Sequence, residues 1–243
     1  MVVSLGRLYS APFLCYTGQK EFTVKKRKIA IATPSYDGKV ACNFAVSIAE
    51  IFRIAGAIPE IEVNLQFWMY EALVQKSRNN LFADAYNGGF DDLIFIDADQ
   101  SFPAEMFFKL LVQPVDVVGV PVRMKTEQER YNIRPEDPKR HEFDETTGLL
   151  KVENIGTGFL RLSRKAMQAL WDASPQYNDG GQIRRMICNL EIVNGGIISE
   201  DIQICEKLRK AGMEIYVDIE YTAKHFGTKC FEGNYKEYYQ RSI

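Results

Sequence analysis

Several things are missing from this 243-residue chain. No two of its five cysteines (Cys15, Cys42, Cys188, Cys205, Cys230) form a CxxC pair, so the spacing that builds zinc sites and redox motifs is absent. An odd, scattered set suits reduced thiols, and a cytoplasmic setting is the expectation. Thirty basic residues stand against 32 acidic ones, a net charge of −2, so no strong field points to nucleic acid or a membrane surface. No apolar run approaches the roughly 20 residues of a membrane span. The opening stretch MVVSLGRLYSAPFLCYTGQKEF breaks its apolar residues with Gly, Arg, Ser and Pro, unlike a signal peptide. Neither GxGxxG nor GxxxxGK[ST] occurs, which removes the dinucleotide fingerprint and the P-loop. Repeats and low-complexity tracts are also lacking. What remains is ordinary globular material, 46% hydrophobic and 26% charged.

The patterns that are present alternate between strand and helix. Ile29–Ala32 reads as a strand, followed by a polar turn from Thr33 to Gly38. Phe44, Ile48, Ile51 and Phe52 then recur at helical spacing up to Gly56. Ile58–Phe67 reads as a second strand and Met69–Tyr86 as a second helix, with Ser77, Arg78 and Asn79 interrupting its apolar stripe. Leu93–Ile96 is a short apolar strand, Pro103–Val112 a helix and Val115–Val120 a strand. This β-α-β alternation predicts one α/β domain over 28–243, with a mixed, mostly parallel sheet, preceded by an extension over 1–27. A polar excursion, Arg123–Thr147, interrupts the pattern. Leu149–Leu162 alternates around Gly156-Thr157-Gly158, helices follow at Ser163–Trp171 and Ser199–Ala211 (inner face Ile202, Cys205, Leu208), and Ile215–Val217 reads as a last strand.

Three spots carry chemistry. Asp97 and Asp99 follow the buried strand directly, where open α/β sheets collect ligands. Two uncompensated carboxylates repel and lose solvation, and a divalent cation removes that cost. Taken alone, the pair favours the other reading, an Asp-rich turn capping the next helix. Ser199-Glu200-Asp201 is an acidic helix start, which on its own reads as plain N-capping favourable to the helix dipole. His225 lies in a polar loop with Lys229. Arg78 is either part of a solvated face or a support for the carboxylates.

Taken in order, ATPSYDG (32–38), ALVQKSRNNL (72–81), LIFIDADQSF (93–102), DVVGVPV (116–122), IGTGF (155–159), SEDIQICEKLRKAG (199–212) and HFGTK (225–229) resemble a GT-A-type glycosyltransferase. The resemblance is to family-2-like enzymes of bacteria and phages and spans roughly residues 28 to 233. It implies a GT-A (nucleotide-diphospho-sugar transferase) fold and an enzyme that moves a sugar from a UDP- or GDP-sugar to a hydroxyl of a glycan or other acceptor. It implies Mn²⁺ or Mg²⁺ at Asp99 and His225, with Asp97 on the nucleotide or the metal. Thr33, Pro34, Tyr36, Arg78 and Lys229 would hold the donor, Asp201 would be the base of an inverting reaction, and Glu200 would orient the acceptor or that base. A sugar nucleotidyltransferase and a non-catalytic nucleotide-sugar-binding module are the competing expectations. Specificity is expected in Arg123–Thr147 and Asn178–Gly196.

Overall fold

Side chains alternating between two buried faces along β1 (Arg27–Ser35) and β3 (Asp92–Ile96) build the molecule in layers. The computed structural model describes residues 26–136 and 143–241. In β1, Ile29 and Ile31 face one core while Ala30 and Ala32 face another; in β3, Ile94 and Ile96 oppose Leu93 and Phe95 in the same way. Both strands are covered on both faces, which is why they read as unbroken apolar runs. A fully buried side chain such as Phe95 contributes about 2 kcal/mol of transfer free energy.

The remaining elements of the central sheet are β2 (Ile61–Met69), β5 (Val117–Gly119), β6 (Ile133–Pro135), β7 (Leu149–Ile155), β8 (Phe159–Ser163) and β13 (Ile215–Asp218). Their order is β2-β1-β3-β8-β5-β13-β7-β6. The sheet is large and mixed. Strands β8 and β7 run against the other six, so β8 splits what the alternation predicts as an uninterrupted parallel run between β3 and β5. The Gly156-Thr157-Gly158 break is where the chain leaves β7 and crosses to β8, three positions away in the sheet with β5 and β13 between them.

Helices α1 (Cys42–Ala55) and α3 (Ala104–Val112) cover one face. The other is covered by α2 (Val74–Asn87), α4 (Arg164–Ala173), α5 (Glu200–Lys210) and α6 (Tyr235–Arg241). Ser163 caps α4 by accepting from the Ala166 N–H at 3.2 Å. Among the described residues no helix is long and apolar enough to cross a membrane.

Several boundaries depart from the sequence reading. Thr33, Pro34 and Ser35 are the end of β1 rather than a turn, because they pair with Phe67, Trp68 and Met69 of a longer β2. Helix α2 starts five residues later than its pattern suggests; Met69 is still strand, and Tyr70 turns the chain at φ 60°. In α5 it is Ile204, fully buried, that joins Cys205 and Leu208 in the core, while Ile202 is only partly covered. Strand β13 is not the last. A small sheet follows, β15-β14-β4, from Cys230–Phe231, Lys224–Phe226 and Gln100–Ser101. Two hairpins, β9 (Gln176–Asp179) with β10 (Gln182–Arg185) and β11 (Glu191–Val193) with β12 (Gly196–Ile198), fill the segment before α5. The expected extension over 1–27 lies almost wholly outside the described residues, as does His141.

Candidate functional site

The C-terminal end of β3 is fixed by its neighbours. Asp97 donates its backbone N–H to the Gly158 carbonyl at 3.0 Å, and Phe226 donates to the Asp99 carbonyl at 2.7 Å. In the small sheet, His225 lies directly opposite Gln100. This pairing carries the late histidine back to the β3 aspartates across 126 residues of chain.

The capping alternative for the aspartates does not describe the structure. Helix α3 has Pro103 at its N-cap and no side-chain cap. Asp97 instead accepts from Arg78 Nη2 at 3.0 and 3.4 Å. Asp99 Oδ2 accepts from Lys125 Nζ at 2.5 Å, and Asp99 Oδ1 stands 3.2 Å from His225 Nε2. His225 Nδ1 lies 2.9 Å from the Arg123 carbonyl, a contact only an N–H can satisfy. In the neutral ring, Nε2 is therefore a lone pair facing a carboxylate oxygen. This explains why Asp99 Oδ1, though buried, lacks a hydrogen-bond partner among the described residues. Burial pushes the Asp99 carboxyl up, but His225, when its ring is protonated and Nε2 donates, and the Lys125 ammonium outweigh it and hold the pKa below the ordinary value.

Arg78 joins this strand end to the acidic helix start. It is 5% exposed, so it is no solvated face. Its second amino group donates to Glu200 Oε1 at 3.1 Å and lies 3.8 Å from Asp201 Oδ1. Burial disfavours the charged guanidinium, yet Asp97, Asp201 and Glu200 raise its pKa above the ordinary value. Asn79 is buried beside it, bonding the Cys188 backbone in both directions at 3.1 and 2.8 Å. Arg78 and Asn79 interrupt the apolar stripe of α2 because they face the site and its supporting loop.

Ser199 precedes α5 but makes no side-chain cap. Asp201 Oδ1 accepts from the Thr157 N–H at 3.1 Å and from the Thr157 hydroxyl, and Oδ2 accepts from Asn132 Nδ2 at 2.9 Å. A carboxylate has about four acceptor positions. Those three bonds leave one on Oδ2 for a further donor.

Two cavities flank the Arg78–Asp97 pair and share it as a wall. The smaller, about 260 Å³, is also lined by Gln100, Asn132, Gly158, Asp201 and His225, with Val120, Val122 and Ile155 on its apolar side. The larger, about 490 Å³, is lined by Pro34, Tyr36, Glu71, Ser77 and Asp99, among others. Asp99 thus opens to one cavity and His225 to the other, and their contact straddles the boundary. Tyr36 is 74% exposed beside the larger cavity, on a loop whose Gly38 (φ 73°) packs so tightly on Tyr70 that a Cβ would meet its hydroxyl at 2.6 Å.

Of the ten residues singled out from sequence, eight line a cavity or touch a residue that does. Two do not. Thr33 is fully enclosed in β1, its hydroxyl unpartnered among the described residues. Lys229 pairs with Glu127 at 2.8 and 3.0 Å and is half exposed. Four residues were missed. Gln100 follows Asp99 directly and Thr157 sits in the Gly-Thr-Gly break, so both lay within recognisable motifs. Lys125 and Asn132 belong to the polar excursion, where no periodicity marks them.

Among the described residues no three His, Cys, Asp or Glu side chains converge as a ready-made metal cage. The Asp99–His225 pair nonetheless fits a divalent ion. It sets a carboxylate oxygen 3.2 Å from an imidazole nitrogen, two donor types that suit such an ion, and Nδ1 is anchored on a backbone carbonyl, the second contact typical of metal-binding imidazoles. A ligand's oxygens would complete the coordination.

No family model matches the chain, and no curated protein matches it. Among solved structures, it is similar to a protein of Desulfovibrio desulfuricans G20 named provisionally as a nucleotide-diphospho-sugar transferase. The identity is 12% and the TM-score 0.40, over 79% of each chain. A likeness of that size carries no conclusion about this site.

Proposed function

We propose that the chain is a GT-A-type glycosyltransferase. It transfers a sugar from a nucleotide-diphospho-sugar to an acceptor hydroxyl, with Mn²⁺ or Mg²⁺ and with inversion. The observation that carries this reading is the pair of cavities divided by Arg78 and Asp97, with Asp99 facing His225 at their boundary and Asp201 lining the smaller one. A donor has two unlike ends, a nucleoside and a sugar, joined by a diphosphate. Two unequal cavities meeting at a cation-suited junction accommodate that shape.

In this reading Pro34 and Tyr36 border the nucleoside, and Asp97, held by Arg78, accepts from one of its hydroxyls. Asp99 and His225 would hold the ion, which when bound supplies charge neutralisation at the departing diphosphate. The acceptor hydroxyl donates to the open position on Asp201 Oδ2. As the acceptor oxygen bonds to the anomeric carbon, its proton passes to Asp201, and the electron pair of the breaking C–O bond leaves on the diphosphate. Thr157 and Asn132 keep the carboxylate aimed during that transfer. Glu200, bonded to Arg78, sets the guanidinium between the two carboxylate sites.

Turnover of a panel of nucleotide-sugars, with and without Mn²⁺, tests the proposal. Asp99→Asn and Asp201→Asn are each expected to lose at least about tenfold in activity, about 1.4 kcal/mol of barrier. Unchanged turnover in both variants would remove the site assignment. Formation of a nucleotide-sugar from nucleoside triphosphate and sugar phosphate would show a nucleotidyltransferase instead.

A further inference from the structure

Among the described residues lining the two cavities, Gln100 is the one buried side chain with nothing to bond. Its relative exposure is 0%, it lines the smaller cavity, and neither Nε2 nor Oε1 has a partner among the described residues. Its position is tightly constructed. The antiparallel pairing of β4 with β14 sets Gln100 directly opposite His225, which places both side chains on one face of the small sheet. Gly158 makes room for the amide: a Cβ there would lie 2.5 Å from Nε2 and 3.1 Å from Asp97 Oδ2.

An amide carries two N–H donors and a carbonyl acceptor, and burying them unpaired is destabilising relative to an apolar side chain of similar size. Such a group is expected where a ligand supplies the missing bonds. The surroundings narrow the ligand's chemistry. Val120, Val122 and Ile155 give the cavity an apolar wall, while Gln100, Asp97 and His225 converge from the polar side. An object with one apolar face and a rim of hydroxyls matches both walls. Its size is also bounded, because about 260 Å³ is below the usual range of small-molecule pockets and suits a single ring.

We propose that Gln100 reads the sugar moiety of the donor, donating from Nε2 to one hydroxyl and accepting at Oε1 from its neighbour on the ring. The inference rests on the glycosyltransferase reading and deepens it by naming a residue that selects the sugar. Both hydrogen bonds fall on the transferred ring, so Gln100 adds nothing to the affinity for a bare nucleoside diphosphate.

Calorimetry on the full chain with Mn²⁺ tests this, using UDP with UDP-glucose and GDP with GDP-mannose as probes, on wild type and Gln100→Leu. For whichever pair wild type binds, the variant is expected to lose about tenfold or more in affinity for the nucleotide-sugar, the equivalent of at least one hydrogen bond. Its affinity for the nucleoside diphosphate should stay within about twofold of wild type. The melting temperature of the unliganded variant should equal or exceed that of wild type, because an unpaired buried amide has been replaced by an apolar group. Equal nucleotide-sugar affinity in the two proteins would overturn the proposal, as would an equal loss for both kinds of probe. A fall in melting temperature would do the same by revealing a structural role. Failure of wild type to bind any of the four probes would instead remove the parent reading, and this inference with it.

Discussion

The ammonium of Lys125 lies 2.5 Å from Asp99 Oδ2, so a cation already neutralises the carboxylate proposed to hold a metal. Lys125 belongs to the polar excursion, as does Asn132, which bonds Asp201 on the far side of the smaller cavity. The first half of the excursion therefore reaches both ends of the site.

An ion entering at Asp99 must compete with that ammonium. Lys125→Met is expected to bind Mn²⁺ more tightly in the absence of any nucleotide. The gain is bounded by the worth of a partly exposed ion pair, up to about 1 kcal/mol or fivefold in affinity. Electron paramagnetic resonance of free Mn²⁺ measures this directly. Unaltered or weaker binding would show that Lys125 does not occupy the cation's place.

Arg78 raises a matter of stability as well as of function. It is the cation shared by Asp97, Glu200 and Asp201, two of them within hydrogen-bond reach, and it is almost fully buried. Replacing it with Met leaves three carboxylates facing one another without compensation. Loss of one partner of a buried pair costs about 3–5 kcal/mol. Urea denaturation of Arg78→Met should show a loss of that order, and Arg78→Lys should recover only part of it because an ammonium cannot fork between two carboxylates. A loss below about 1 kcal/mol in Arg78→Met would mean the carboxylates are neutralised by other means.

How much of this was readable in advance differs from element to element. Leu93–Ile96 was legible because a strand buried on both faces leaves an unbroken apolar run, and β3 covers it almost residue for residue. The reversal of β8 was not, because an antiparallel strand buried on both faces has the same local composition as a parallel one. Arg78 broke the apolar stripe of α2 and so declared itself, although sequence alone could not separate a solvated face from a buried charge hub. Lys125 and Asn132 reach the site through tertiary contacts with residues 26 and 69 positions away in the chain, and no local pattern encodes such contacts. The meeting of Asp99 with His225 depends on the β4–β14 pairing, between strands too short to leave a periodic signature.

Alkaline pH should weaken the fold through a buried thiol. Burial in the core, foremost, pushes Cys205 from its ordinary 9.0 up to about 12. The folded pKa is raised, so the stabilising contribution is full below pH 9.0 and is lost as pH rises from there to about 12, the interval in which the unfolded chain alone is largely deprotonated. Between about pH 8 and about pH 10 this one group should remove about 1 kcal/mol. Cys205→Ala is expected to be less stable than wild type at the lower pH yet to lose less on going to the higher one. Urea titrations at both values measure the difference, and identical losses in the two proteins would contradict the assignment.

Gly158 offers the most direct steric test of the cleft. Its backbone is not in the left-handed region, so any cost of a methyl group comes from contact alone. A Cβ would meet Gln100 Nε2 at 2.5 Å and Asp97 Oδ2 at 3.1 Å, and the Gly158 carbonyl accepts the Asp97 N–H at 3.0 Å. Gly158→Ala must displace the amide, the carboxylate or the β3–β8 register that holds Asp97. Overpacking of this kind costs about 1–3 kcal/mol. If the amide swings aside alone, stability falls little and only the response to nucleotide-sugar is lost. If Asp97 moves, its bond to Arg78 lengthens and nucleoside diphosphate binding falls as well. Thermal denaturation together with calorimetry on both kinds of probe separates these outcomes. A variant that matched wild type in all three measurements would show that the close packing of Gly158, Gln100 and Asp97 has no bearing on the cleft.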